Sequence, residues 1–279
     1  MLIDVIKDTL LDAVKLIPFL FFAFLLVELF EHKFDDHMKK AISKSGKFGP
    51  LYGALLGAIP QCGFSVLASN LYSTRIITLG TLISIYLSTS DEMIPILISS
   101  NAPIKSIILI VGFKVVIGFI MGMLIDLFYK NSTNKDFEMC EDDHCGCEDS
   151  IIKSSIIHTL KTLLFIIGIT FILNLLFANY SNEQIGSLFL KDNVFAPFLA
   201  ALLCLIPNCG PSIVLTELYL NGVVSIGTCI GGLLTGSGLA LLVLFKNNHD
   251  VKENIRIILI VYFIGSIVGL LLNIFNLFM

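Results

Sequence analysis

The chain has 279 residues, of which 56% are hydrophobic and 14% charged, and its mean hydropathy is +0.89. A soluble globular domain carries about 25% charged residues. The composition therefore excludes a soluble domain and predicts an all-α protein that crosses a membrane several times. The formal net charge of −4 gives no reason to expect a nucleic-acid partner, because the charges lie in connecting segments. Residues 1–15 have mixed charge and lack the basic region and cleavage site of a signal peptide.

Apolar segments of about 20 residues can cross a bilayer as helices. The sequence contains four in each half, on either side of a hydrophilic acidic stretch at 131–150. In chain order they are 10–30, 49–72, 76–100, 104–129, 156–177, 194–220, 223–245 and 255–278. We expect a first membrane repeat at 1–130, a connecting loop at 131–153 and a second membrane repeat at 154–279.

One motif occurs twice, as Ile-Pro-Gln-Cys-Gly-Phe-Ser at 59–65 and as Ile-Pro-Asn-Cys-Gly-Pro-Ser at 206–212. Equivalent positions differ by 147, since 62 + 147 = 209, and identities continue at that offset between 48–128 and 195–275. This pattern predicts an internal duplication. Proline removes a backbone donor and glycine adds freedom, so each motif predicts a broken helix. A break inside a bilayer must be buried or line a wet cavity, which predicts a substrate site near the midplane.

Charges in the connecting segments indicate the orientation of the halves. Residues 31–47 carry five lysines, whereas the equivalent segment 178–193 carries only Lys191. The 101–105 segment has one lysine, whereas its partner has Lys246, Lys252 and Arg256. Basic loops stay cytoplasmic, so this opposite bias favours inverted halves, which need an odd number of crossings each. We expect ten crossings, five in each half. The fifth crossing of each half would come from a split of 76–100 or from a re-entrant turn at a motif. The alternative is eight crossings, with four in each of two parallel halves.

The duplicated motif supplies the first candidate site. Thiolate sulfur prefers soft ions, so soft metals and arsenite-type species suit its two cysteines, and nearby amide and hydroxyl groups would add contacts. The candidate substrate-binding residues are Pro60, Gln61, Cys62, Gly63, Ser65, Pro207, Asn208, Cys209, Gly210 and Ser212. The alternative is that these thiols are small hydrophobic groups at a tight helix crossing, which is our interpretation of Cys204 and Cys229.

Ionisable residues within apolar segments supply a second set of candidates, because a charge at membrane depth is expensive. Ser90, Asp91 and Glu92 align with a second-half stretch that contains Ser237, and the carboxylates would bind a cation or carry a coupling proton. The alternative places both carboxylates in water on a surface connection. Lys114 lies within an apolar segment, where it either pairs with one of these carboxylates or snorkels to an interface.

The central loop supplies a third candidate site, for metal. It contains Cys140, His144, Cys145 and Cys147 among acidic residues. This spacing differs from the paired C-x₂-C of zinc fingers, so we expect a flexible loop that loads or senses metal rather than a rigid tetrahedral site. The alternative is a disordered acidic linker with incidental cysteines.

The paired motifs and the Cys/His-containing acidic loop together resemble the ArsP-like family of bacterial heavy-metal exporters, and the resemblance covers essentially the whole chain. It implies about ten helices, a multi-pass protein of the bacterial cytoplasmic (inner) membrane, and export of a toxic metal or metalloid. At the two positions that match the family's motif, it implies that Cys62 and Cys209 are ligands of the exported metal. The arsenic permease branch of the family is richer in cysteine around its motif, whereas each copy here holds one thiol.

We therefore expect a permease that exports a soft metal or metalloid such as trivalent arsenic, and not an enzyme. No ATPase or cofactor motif is visible, so an ion gradient or a partner would supply the energy. One alternative is a divalent-cation transporter of the manganese type that uses carboxylate and amide oxygens. Another is a membrane thiol oxidoreductase. The expected partners are the metal ion and the lipid bilayer, with a homo-oligomer also compatible with the sequence.

Overall fold

The computed structural model describes residues 48–59, 62–90, 93–129, 194–208 and 210–275, with isolated positions within 11–25 and 152–171. In these ranges the chain forms helices and connections and contains no strand. The helices are α1 (Gly49–Gly57), α2 (Cys62–Ser73), α3 (Leu79–Ser88), α4 (Met93–Ser99), α5 (Ile104–Phe128), α6 (Ala196–Cys204), α7 (Gly210–Leu220), α8 (Ile226–Thr235), α9 (Ala240–Asn247) and α10 (Val251–Phe275). The expected all-α architecture is confirmed for the described residues.

In the part of the chain that the structure describes, four stretches are long and apolar enough to cross a membrane. They are Leu79–Ser99, Ile104–Phe128, Ile226–Asn247 and Val251–Phe275. The first combines α3 with α4, and the third combines α8 with α9. The helices α5 and α10 are each 25 residues long, or about 37 Å, which exceeds the hydrocarbon thickness of about 30 Å.

The helix boundaries recur at the offset of the duplicated motif. Helices α1, α3 and α5 begin and end 147 positions before α6, α8 and α10, since 49 + 147 = 196, 79 + 147 = 226 and 104 + 147 = 251. The sequence segment expected at 255–278 begins earlier in the structure, at Val251. Asp250 explains the difference, because its carboxylate accepts hydrogen bonds from the backbone N–H groups of Lys252 and Glu253 at 3.1 Å and caps α10.

Glycine allows the closest helix contacts in each half. A Cβ on Gly80 of α3 would lie 2.1 Å from the carbonyl oxygen of Gly122 on α5. A Cβ on Gly227 of α8 would lie 2.7 Å from the carbonyl oxygen of Gly269 on α10. Neither position accepts a side chain without a shift of the helices. Small residues therefore let the paired backbones touch, as is usual for helices packed in a membrane.

Polar caps fix the same two helix pairs at their ends. The Thr78 hydroxyl accepts from the backbone N–H of Thr81 at 3.1 Å and donates to the Asp126 carboxylate at 2.6 Å. In the second half, the Ser225 hydroxyl accepts from Thr228 N–H at 3.2 Å and donates to Asn273 Oδ1 at 2.8 Å. Each cap satisfies a backbone donor at the start of a helix and ties that end to its long neighbour.

Helices α1 and α2 form a hairpin beside α3. A Cβ on Gly49 would meet the Thr81 side chain, and a Cβ on Gly57 would meet Ser88, so α1 runs parallel to α3. The short connection at 74–78 joins the end of α2 to the start of α3, so α2 runs back along α1 toward that end. Helices α6 and α7 are arranged alike beside α8, since the Thr235 hydroxyl donates to the Ala201 carbonyl at 2.9 Å.

The two longest helices run in opposite directions. The Arg256 guanidinium, near the start of α10, lies 5.7 Å from the ring centroid of Tyr129, which follows the end of α5. We call the end of the molecule that contains these two residues the first end. The opposite end, which contains Ser225 and Asn273, is the second end.

The halves interlock along their short helices. Helix α9 packs on α2, α4 packs on α7, and α3 contacts α8. The Ser69 hydroxyl of α2 lies 2.8 Å from the carbonyl oxygen of Ala240 on α9 and 2.7 Å from the hydroxyl of Tyr86 on α3. One apolar core therefore includes residues from both halves.

Candidate functional site

The first copy of the duplicated motif lies at the turn of the α1–α2 hairpin. Helix α1 ends at Gly57 and α2 begins at Cys62. Gly63 is buried and Ser65 is 1% exposed, and the Ser65 carbonyl accepts from the Ser69 hydroxyl at 2.9 Å. Pro60, Gln61 and the side chain of Cys62 lie outside the described residues.

The second copy lies at the turn of the α6–α7 hairpin. Asn208 is buried, and its Oδ1 atom accepts from the backbone N–H of Gly210 at 3.3 Å, so it caps the first turn of α7. Pro207 and Gly210 are partly buried. Ser212 is also partly buried, and its carbonyl accepts from the Thr216 hydroxyl at 2.7 Å. Cys209 lies outside the described residues.

Both turns lie beside the carboxyl-terminal end of a short helix. A Cβ on Gly57 would lie 2.1 Å from the Ser88 hydroxyl at the end of α3. A Cβ on Gly236, just after α8, would lie 3.8 Å from Cys204 Cβ at the end of α6. The carboxyl-terminal ends of α3 and α8, from opposite halves, are in turn joined by Lys114.

Lys114 is fully buried, with 0% exposure, on α5. Its Nζ atom donates to the carbonyl of Thr89, which caps α3, and at 2.9 Å to the carbonyl of Leu233 in the last turn of α8. The expectation that Lys114 snorkels to an interface is wrong. The carbonyl groups at the two helix ends compensate part of the amine's loss of water. The alternative, in which Lys114 pairs with Asp91 or Glu92, stays a prediction, because both carboxylates lie outside the described residues.

The serines of the second candidate set are buried in the connections after α3 and α8. Ser90 is 2% exposed and donates to the Ser88 carbonyl at 3.1 Å. Ser237 is 1% exposed, and its hydroxyl has no hydrogen-bond partner among the described residues. Asp91 and Glu92 lie outside the described residues, between Ser90 and Met93, and Met93 is 1% exposed.

Metal-binding candidates remain predictions. Cys140, His144, Cys145 and Cys147 of the central loop lie outside the described residues. Within the described part of the chain, no group of three or more histidine, cysteine or acidic side chains is placed to hold a metal ion. Cys204 and Cys229 are both buried in the apolar core, as the packing interpretation expects.

A polar network at the first end was not predicted from the sequence. The Glu253 carboxylate accepts from both terminal nitrogens of Arg75 at 2.8 and 2.6 Å, and from the Tyr72 hydroxyl at 2.6 Å. Asn248 Nδ2 donates to the same carboxylate at 3.0 Å. Hydrogen bonding to Glu253 raises the pKa of the Arg75 guanidinium. The sequence shows Arg75 in the first half and Glu253 in the second, but no sequence pattern indicates that the two residues pair.

These features define a multi-pass helical membrane protein whose two halves meet around buried helix ends. A family model, ArsP_2, described as "Putative, 10TM heavy-metal exporter", matches residues 1–179 and 165–278. The chain belongs to this family, which confirms the resemblance seen in the duplicated motif. No curated protein and no solved structure matches the chain.

Proposed function

We propose that this protein is a permease that exports a soft metal or metalloid, such as trivalent arsenic, across the bacterial cytoplasmic membrane. The family supports the export of a heavy metal. The observation that carries the proposal is the convergence of the two motif-bearing hairpins on neighbouring helix ends from opposite halves. A substrate held between two such hairpins would contact both halves of the protein at once.

Its architecture, in this proposal, is an inverted duplication. Equal offsets of the helix boundaries and the opposite directions of α5 and α10 support it. Each hairpin would enter and leave at one membrane surface, with its Pro-x-Cys-Gly turn at mid-depth. The connections within α3–α4 and α8–α9 would be breaks in two crossing helices. Transporters of this kind place substrate sites at discontinuous helices near the bilayer midplane.

Cys62 and Cys209 are the proposed soft ligands. Changing either thiol to a hydroxyl in Cys62→Ser or Cys209→Ser should abolish resistance to the exported species, because a hydroxyl is a poor ligand for a soft ion. The double variant should be no worse than either single variant, since both thiols would hold one ion. Resistance and intracellular accumulation would be measured for arsenite and a panel of soft and hard metals.

Cys204→Ser and Cys229→Ser are the matched controls, because both thiols are buried in the apolar core and lie outside the repeated motif. They should keep resistance if they remain in the membrane at normal levels, as measured by immunoblotting. Full resistance of both motif variants would exclude the thiol-ligand proposal and favour oxygen ligands.

Export of a divalent cation is the second candidate function. Ser90 and Met93, which flank Asp91 and Glu92 in the sequence, are 2% and 1% exposed, and this burial on both sides supports the candidate. Asp91→Asn and Glu92→Gln would then abolish manganese resistance while sparing arsenite resistance. Among the described residues, no comparable observation supports the thiol oxidoreductase alternative.

The central loop is proposed to load metal into the permease. In the sequence it follows Tyr129, which lies at the first end with Arg75, Lys246, Lys252 and Arg256, and the positive-inside rule supports a cytoplasmic location for the loop. Deletion of 139–147 should weaken export at low metal concentration and spare it at high concentration. Uptake into inverted vesicles over a range of metal concentrations would measure this, and a raised apparent KM with unchanged maximal rate is the expected result.

A replacement loop of equal length, with Cys140, Cys145 and Cys147 changed to serine and His144 to glutamine, separates ligand loss from shortening. It should behave like the deletion. Wild-type kinetics in this variant would show that the loop is only a linker.

A further inference from the structure

The contacts that hold α2 of the first half against the second half extend to the first end. The Ser69 hydroxyl donates to the carbonyl of Ala240, the first residue of α9, at 2.8 Å. Near the end of α2, Asn70 Oδ1 accepts from the side chain of Asn247 at the end of α9. The Glu253 network lies beyond both contacts, at the first end itself. Polar contacts therefore join the halves from the start of α9 to the first end.

Equivalent positions at the second end are less buried. Ser73 of α2 is 1% exposed, whereas its counterpart on α7, Leu220, is 36% exposed, since 73 + 147 = 220. Asn248 after α9 is 3% exposed, whereas Asn101, at the equivalent position after α4, is exposed. Helix α9 also packs more extensively on α2 than α4 does on α7. The interface between the halves is therefore tighter at the first end than at the second.

The elements that make these two interfaces are themselves equivalent. Helices α2 and α7 contain the same Leu-Tyr pair near their ends, at 71–72 and 218–219. Helices α4 and α9 each follow a break after a short helix. Two inverted halves built from the same elements have two related packings, which differ in the end that is closed. A tighter first end is the difference expected for one of these packings.

The residues at the second end can make the reciprocal contact. The counterparts of Asn70 and Asn247 are Glu217 and Ser100, since 70 + 147 = 217 and 100 + 147 = 247. They provide a carboxylate acceptor and a hydroxyl donor where the first end uses two amides. Ser100 is exposed. Glu217 has an interaction in this structure, so closure of the second end would exchange that interaction for one with Ser100.

The first end carries an ion pair that the equivalent positions of the second end cannot form. The counterparts of Arg75 and Glu253 are Gly222 and Ser106, since 75 + 147 = 222 and 106 + 147 = 253. The pair at the first end is bidentate, with nitrogen–oxygen distances of 2.8 and 2.6 Å. Bidentate, charge-assisted hydrogen bonds between arginine and a carboxylate are among the stronger polar contacts in proteins. The pair therefore favours the packing in which the first end is closed.

We propose that the Arg75–Glu253 pair is a latch that holds the first end closed in one of two states. In the other state the latch is open, α7 closes on α4, and Glu217 meets Ser100 at the second end. The inference rests on the inverted permease proposed above and adds which residues control its two states. Since the first end is predicted to be cytoplasmic, the structure corresponds to the state closed to the cytoplasm, from which an exported ion would leave.

Cysteine chemistry in the thiol-free, full-length protein tests the latch in lipid vesicles without added metal. Asn70 is fully buried while the first end is closed, so the rate at which a small thiol reagent modifies Asn70→Cys measures opening. Glu217→Cys combined with Ser100→Cys measures closure of the second end, through the rate at which oxidation joins the two by a disulfide. Adding Glu253→Gln should raise both rates by about tenfold, because a charge-assisted pair is lost.

The two rates together separate a latch from a general loosening. Loosening of the first end alone would raise the modification of Asn70→Cys but leave the disulfide rate unchanged, and that result would overturn the proposal. Lys252→Gln removes an exposed charge from the same turn of α10 and should change neither rate. An equal effect of Lys252→Gln, or no effect of Glu253→Gln, would also overturn it. Because no metal is present, these outcomes do not depend on metal export, which the resistance measurements test separately.

A photoreactive side chain serves if the thiol-free protein does not fold. In the chain with its native cysteines, a benzophenone side chain replaces that of the exposed Ser100, and mass spectrometry measures its adducts with 217–220. Glu253→Gln should raise the yield of these adducts severalfold. An unchanged yield would reject the second state.

Discussion

At the residue scale, Arg75 shows how the halves are joined at the first end. Its φ of 59° lies in the left-handed region, and its counterpart at 75 + 147 = 222 is a glycine with φ of 69°. Both residues end a helix in the same way, since Ile76 N–H bonds Leu71 O and Val223 N–H bonds Leu218 O, at 2.8 and 2.9 Å. An arginine in this conformation costs about 1 kcal/mol or more. Its two hydrogen bonds to Glu253 offset that cost.

We expect Glu253→Gln to lower the free energy of unfolding by about 1 to 2 kcal/mol, because the pair is only about a quarter exposed and its hydrogen bonds are charge-assisted. The corresponding fall in Tm is roughly 2 to 8 °C. Arg75→Gln should act through the same interaction. In a double-mutant cycle, the double variant should therefore be at least as stable as the less stable of the two single variants.

Lys252→Gln is the control for the loss of a charge, because this residue is exposed on the same turn of α10 as Glu253. It should change Tm by less than about 1 °C. Additive effects of the Arg75 and Glu253 changes would show that the contact does not couple the halves.

At the element scale, each long helix is held against a short one by backbone contact at glycine. Gly118 of α5 illustrates this, since a Cβ there would lie 2.8 Å from the Ser84 carbonyl oxygen on α3. The contact lies one turn from Lys114 and close to the end of α3. A shift of α5 at this level would therefore move the amine relative to its carbonyl partners.

Gly118→Ala should destabilise the protein by about 1 to 3 kcal/mol, since a backbone atom cannot move aside as a flexible side chain does. Gly112→Ala on the same helix is the matched control, because no atom lies within 4 Å of its added Cβ. That control should be neutral or stabilising by up to about 1 kcal/mol, as alanine favours a helix over glycine. Thermal unfolding of both variants measures the difference, and equal effects would refute the packing argument.

At the scale of the whole molecule, basic residues gather at one end. Arg75, Lys246, Lys252 and Arg256 lie at the first end, whereas Lys105 lies in the first turn of α5 at the second end. The five lysines of 31–47 lead directly into Phe48, next to α1 at the first end. The positive-inside rule predicts that the first end is cytoplasmic and the second end external.

Single cysteines in a thiol-free variant test this orientation. Ser45→Cys should be protected from an impermeant thiol reagent in intact cells, whereas Ser187→Cys and the exposed Asn221→Cys should be labelled. Inverted vesicles should give the opposite pattern. Labelling of 45 and 187 from the same side would support parallel halves instead.

The sequence by itself determined the class of protein and led to the hypotheses of a duplication and of two broken helices. Composition predicts membrane helices because a hydrocarbon interior admits few charges. Proline and glycine act on their own backbone, so the sequence predicts helix interruptions at 60–63 and 207–210. In the structure, α1 ends at Gly57 and α2 begins at Cys62, and α6 ends at Cys204 and α7 begins at Gly210.

The tertiary structure alone decided which distant groups meet. Lys114 and Leu233 are 119 positions apart, and Arg75 and Glu253 are 178 apart. Neither pair follows from a local pattern, because carbonyl partners carry no sequence signature and complementary charges can pair in many ways. Lys114 is buried where two helix ends converge, and that place exists only when α3 and α8 are packed together.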